Sequence, residues 1–286
     1  MSENKTKSKL KPLIYSFLSF MLTFVLFLLS ICIVIETTVF SKDYMLNIMS
    51  SNGYYLMVKD ELLSNMKSLG NASGLDEDFA KDFVDELDIQ ANIKNYISSF
   101  YSGDSTLVDT TAFKQQLYAS LDKYIEDKGI DKSTVSEENL SYFVDEAANA
   151  YVNQISIPFF SSIANYIYKA QTPFLILTIG LGVFAVILIA IIFFTNRFKH
   201  RRFRYICYGF TGAFLTISVI PIIVLLSGKI SQINLNTRSL YSLFVNYANG
   251  FFMNFWIWAV VMLFFAVLTF ILYKKYYKQA TSHHND

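Results

Sequence analysis

FLILTIGLGVFAVILIAIIFF (174–194) leads through Thr195 into NRFKHRRFRY (196–205). The first stretch has no charged side chain and is long enough to cross a bilayer, which takes about 20 residues at 1.5 Å each. The second sets Arg197, Lys199, Arg201, Arg202, Arg204 and one histidine against its end. An apolar run that stops on a cationic one reads as a span with its cytoplasmic flank, because Lys and Arg in short loops are retained on that side.

Working outward, three more runs have the same character: Leu13–Ile35, Tyr205–Leu226 and Phe251–Tyr273, none with an ionisable residue in its central part. With 53% of the chain hydrophobic and the apolar residues gathered this way, an ordinary soluble protein is excluded. The net charge of +1 hides a segregation: residues 37–171 hold 20 acidic and 10 basic side chains, whereas outside them the only acids are Glu3, Glu36 and Asp286. Lys5, Lys7, Lys9 and Lys11 precede the first run, and Lys274, Lys275 and Lys278 follow the last. The expected fold is therefore all-α, a four-span integral membrane protein with a helical-bundle extracytoplasmic domain inserted between spans 1 and 2. Its expected parts are a basic cytoplasmic N-terminus (1–12), span 1 (13–36), the extracytoplasmic domain (37–171) and span 2 (172–195). A cytoplasmic basic loop (196–204), span 3 (205–226), an outer loop (227–250), span 4 (251–273) and a cytoplasmic tail (274–286) complete the chain.

The five cations of 197–204 are expected to act as a topology signal and to contact anionic lipid headgroups, worth about 1 kcal/mol each. Ten residues pinned between spans leave little room for a groove-reading element, so nucleic acid is not an expected partner. Gly209-x-x-x-Ala213 reads as a helix-packing motif, and Pro221 as a kink near the outer end of span 3. Ionisable groups inside the bilayer would mark an ion-coupled transporter; here Glu36 lies only at the outer end of span 1. Trp256 and Trp258 suit the outer aromatic belt.

The first apolar run exceeds the 7–15 residues of a cleavable signal and lacks a small-x-small site, so it is expected to remain as an anchor. Ile31 before Cys32 argues against lipoprotein processing. Cys32 and Cys207 both fall in apolar runs, which leaves the 37–171 segment without a disulfide. Asn71-Ala-Ser73 and Asn139-Leu-Ser141 are glycan sequons that matter only in a eukaryotic secretory pathway. The Lys-, Asn-, Ile- and Tyr-heavy usage instead fits a bacterial plasma-membrane protein. The outline is similar to that of claudin-like tetraspan proteins, but the first outer segment lacks their Trp and Cys pattern, so no family is assigned.

Residues 37–171 are domain-sized, and their period is helical throughout. Apolar stripes run through Tyr55, Val58, Leu62 and Met66, then Phe79, Phe83, Val84 and Leu87, continuing in Ile89, Ile93, Ile97 and Phe100. Further stripes run through Phe113, Leu117, Leu121 and Ile125, and through Phe143, Val144, Ala147 and Tyr151. Gly70 and Gly129 are expected helix ends, Asp109 an N-cap, Thr134–Glu137 a capping box and Pro158 a bend or stop. In the outer loop, Ser239 is expected to cap a short helix.

The acidic run from Asp76 to Asp88 lacks the EF-hand pattern, with Lys81 in the sixth position and Leu87 in the twelfth. No histidine falls within 37–171, while His200 sits in the basic loop and His283 and His284 in the tail. Neither a G-x-S-x-G elbow nor an H-E-x-x-H helix occurs. No catalytic residue, cofactor or metal ligand is therefore expected. The expected function is non-enzymatic: the acidic domain recognises a protein, envelope or lipid partner at the outer surface, with membrane lipids as further partners and a homo-oligomer as one possible state. The alternative is a channel, transporter or transporter accessory subunit acting as an oligomer. The third reading is an enzyme acting on lipid or cell wall through the carboxylates of this domain, Asp104, Asp109 and the acidic run.

Overall fold

The computed structural model describes residues 3–104, 108–131, 135–235 and 237–282, the side chains of 3–10 and 282 excepted. Thr134, His283 and His284 lie outside the described residues, as do the side chains of Lys5, Lys7 and Lys9. Among the described residues the chain is helical and without strands. It divides into two compact units, one formed by 1–41, 171–233 and 247–286, the other by 42–170 and 234–246.

The first unit contains the apolar parts of α1 (Glu3–Thr38), α8 (Phe160–Thr195), α9 (Lys199–Leu226) and α10 (Arg238–Ser282). All four helices are long and apolar enough to cross a membrane, which makes this a multi-pass membrane protein. The tightest seam joins α1 to α9. A Cβ on Gly209 would lie 2.6 Å from Leu22, and one on Gly212 would lie 2.6 Å from Thr23. These two glycines and the fully buried Ala213 let the backbones approach closely, which is how helices pack where lipid removes the hydrophobic drive. Hydrogen bonds seal the seam: the Ser19 hydroxyl donates to the Tyr205 carbonyl at 2.8 Å and Thr23 donates to that of Gly209 at 3.1 Å. Pro221 is buried within α9, which continues through it to Leu226. Trp256 and Trp258 are half-buried against the core of this unit.

The second unit is a helical bundle with its own core, made of α2 (Lys42–Ser51), α3 (Tyr54–Ala72), α4 (Glu77–Glu86), α5 (Ile89–Ser102), α6 (Thr111–Asp127) and α7 (Glu137–Ile155). α3 is central, contacting α2, α4, α5 and α7. Val58, Leu62, Ile93, Ile97, Leu117, Val144 and Ile155 are buried to within 1% of completeness. Each such side chain contributes about 1.5–3 kcal/mol relative to exposure. Phe113 stacks on Tyr151 with centroids 4.3 Å apart, joining α6 to α7.

Several local expectations are corrected. Gly70 does not end α3. The helix reaches Ala72, Gly74 takes the left-handed turn at φ 80°, and the Leu75 N–H closes back on the Gly70 carbonyl at 2.9 Å. The acidic helix and its successor are separate, because Asp88 turns out of the helix and accepts the Ala91 N–H at 2.9 Å as the cap of α5. α7 starts at Glu137 with Ser136 as its cap, so Glu137 is the first residue of the helix and not the partner in a capping box. α2 was not anticipated. Pro158 follows the end of α7, and Phe159 beside it is held at φ 69°, a strained conformation for a bulky side chain.

Candidate partner-binding surfaces and the Glu61 node

Glu61 projects from α3 and gathers groups from distant parts of the second unit. Its Oε1 accepts the Ser239 N–H at 2.9 Å, and its Oε2 accepts the Ser239 hydroxyl at 2.5 Å and the Gln154 side-chain amide. Ser239 and Gln154 are both buried. Ser239 belongs to the first turn of α10, where backbone N–H groups have no helical acceptor and the helix dipole favours a negative charge. The expected short, Ser239-capped helix is thus replaced by the start of α10. Thr237 Oγ1 accepts the Leu240 N–H at 3.3 Å, while Ser239 is committed to Glu61. Residues 234–246 are in this way anchored on the 42–170 bundle, and they group with it.

Two clefts flank α6. One, of about 670 Å³, is apolar on most of its walls and is lined by Leu69, Leu75, Leu121, Ile125, Leu140 and Tyr142. The other, of about 540 Å³, has Asp78, Asp82, Glu86 and Asp127 on its rim and Phe79 in its floor. Tyr124 borders both. Lys128 lies at the edge of the acidic cleft, bonded to Asp76 at 2.8 Å and 5.5 Å above the Tyr124 ring. That bond, together with the Phe79 N–H donated to Asp76 Oδ1, holds the Asp76 carboxyl below its usual range. Lys59 does the same for Asp85. Asp109 accepts the Thr111 N–H at 2.8 Å, which holds its carboxyl down and occupies it at the start of α6. Among the described residues, no three His, Cys, Asp or Glu side chains converge as metal ligands.

No family model matches the chain, and neither a curated protein nor a solved structure is significantly similar to it.

The sequence-derived cations sit in the turn between α8 and α9 and on the first turns of α9. Arg202 donates from Nε to the Asn196 carbonyl at 2.7 Å and lies 4.8 Å over Phe193. Arg201 stands 5.1 Å over Phe198, Lys199 5.5 Å over Tyr276 and Arg204 4.9 Å over Tyr205. Arg197 is exposed. Gly209 and Ala213 lie on the α1 seam with Gly212, which sequence reasoning missed and which the one-turn spacing from Gly209 could have suggested. Glu61 was also missed. Nothing local distinguishes it, since its partners are 93 and 178 residues away.

Proposed function

We propose that this is a non-enzymatic plasma-membrane protein whose 42–170 domain lies outside the cytoplasm and recognises a partner there. The supporting observation is the pair of clefts meeting at Tyr124, one apolar and one acidic. Together they suit a partner segment that presents apolar side chains beside Lys or Arg. The orientation draws on the charge segregation, with the acid-rich domain exported and the basic flanks retained.

Photo-crosslinkers placed at Tyr142 and Ser120, one on each cleft, test this in living cells. The expected result is one shared adduct at both sites, weakened several-fold by Asp82→Lys and by raised salt. Failure to recover a shared adduct, or an adduct indifferent to Asp82→Lys, overturns it. The alternative, a channel or transporter subunit, draws on α8, the least covered of the four long helices. Solute flux in liposomes holding the purified chain would favour that alternative.

A further inference from the structure

We propose that the basic end of the span unit is a binding site for the phosphate of an anionic phospholipid, assembled from three separate segments of the chain. The site rests on reading α1, α8, α9 and α10 as membrane spans.

Contacts within the unit bring the segments together. The Tyr15 hydroxyl donates to the Thr195 carbonyl at 2.9 Å and the Tyr15 ring lies 5.4 Å from that of Tyr205, which places Lys11, one turn earlier on α1, near the α8–α9 turn. Phe203 stacks on Tyr276 with centroids 5.4 Å apart, and His200 meets Tyr277 at 5.9 Å. These contacts bring Lys274, Lys275 and Lys278 of α10 to the same end.

Among the described residues of the unit, no ion pair neutralises this charge. The ion pairs among the described residues, such as Lys59–Asp85 and Lys114–Asp145, lie in the other unit. Among the described side chains of the span unit Glu36 is the one carboxylate, and it sits near the far end of α1. Lys199, Arg201 and Arg202 also crowd the first turn of α9, where the helix dipole is already positive and Phe198 supplies no capping acceptor. Such a concentration is unfavourable unless an anion joins it. Arg204 carries a free donor: its guanidinium bonds the Tyr205 hydroxyl at 3.0 Å, while its Nε is buried without a partner.

The surroundings favour a lipid over an anion from solution. Leu13, Phe17, Phe194 and Phe198 are all strongly exposed next to the cations, Phe194 at 78%. They offer an apolar wall for acyl chains beside a cationic mouth for the phosphate, the arrangement by which basic pockets between spans hold acidic headgroups.

The test uses the full chain in nanodiscs of phosphatidylcholine with a minor fraction of phosphatidylglycerol, followed by native mass spectrometry of the retained lipid. Wild type is expected to retain phosphatidylglycerol at fixed stoichiometry, with Arg204→Gln and Lys199→Gln each lowering retention about five-fold. Phe203→Ala keeps every charge, and so the orientation, but frees the Tyr276 ring that positions Lys199; it is expected to lower retention as well. Equal retention of phosphatidylcholine, or no loss in both Arg204→Gln and Phe203→Ala, overturns the site. Displacement of the lipid by inorganic phosphate would reassign it to a soluble anion. Failure of the chain to insert into nanodiscs would instead count against the spans themselves.

Discussion

Glu61 concentrates three hydrogen bonds from residues far away in the chain. Its three donor groups come from Gln154 of α7 and Ser239 at the start of α10, and both residues are buried. Truncating it removes the acceptor of the Ser239 N–H and the Gln154 amide, away from water, and leaves the Ser239 hydroxyl with Thr237 Oγ1 at 3.3 Å. Hydrogen bonds to a charged group contribute about 1.5–3 kcal/mol, and an orphaned buried donor costs about 1–3 kcal/mol. Glu61→Ala is therefore expected to destabilise the anchoring of 237–246 by about 2–4 kcal/mol. Ser239→Ala, which removes one donor and keeps the backbone bond, is expected to cost about 1 kcal/mol. Hydrogen exchange at 237–246 in detergent-solubilised protein measures both. Exchange unchanged in Glu61→Ala would mean that the segment is held by its apolar contacts alone.

At the scale of elements, α4 is mounted electrostatically on its neighbours. Lys67 bonds Glu77, Lys59 bonds Asp85 and Lys128 bonds Asp76, so cations from α3 and from just beyond α6 grip a helix whose first turn carries Glu77 and Asp78. Lys128 and Lys59 hold the Asp76 and Asp85 carboxyls below their unfolded pKa of about 3.9. The resulting stabilisation is complete above the unfolded value and is lost as pH falls through the lower folded ones. Hydrogen exchange in residues 77–86 is therefore expected to quicken below about pH 4, ahead of exchange in α5. Asp76→Asn keeps a good helix cap but not the ion pair, so it should flatten that acid response; an unaltered acid limb would remove Lys128 from the mounting. The elements differ in how far the sequence discloses them. Stripes such as Val58–Leu62–Met66 and Ile93–Ile97 are visible because burial imposes the helical period directly. α2 escaped notice because its buried face is only Met45 and Met49. The break at Asp88 is a side-chain choice between continuing a helix and capping the next, which hydrophobic spacing cannot register. α8 and α10 overrun their apolar windows because their polar ends are held by contacts distant in the chain, such as Phe160 on Phe100 at 4.2 Å and Ser239 on Glu61.

For the whole molecule, the deciding property is the sorting of charge along the chain, which is local and was therefore legible; the Glu61 node and the joining of three basic segments needed tertiary contacts to be seen. Sorting also makes the orientation directly measurable. Cys32 and Cys207, the native thiols, are both buried in the span unit, so a membrane-impermeant maleimide should report only on an introduced cysteine. Asp78 and Lys278 are exposed and lie in the acid-rich and basic parts of the chain. On the proposed orientation, with Lys and Arg retained on the cytoplasmic side, Asp78→Cys would lie outside and Lys278→Cys inside. The expected outcome is labelling of Asp78→Cys in intact cells and of Lys278→Cys only after permeabilisation. An even number of spans ties the two termini to one side, so the reverse pattern would put the acid-rich domain in the cytoplasm and remove the basis for an external partner. Labelling of both in intact cells would break the four-span count itself, because residues 78 and 278 are separated by α8, α9 and the apolar part of α10, an odd number of crossings.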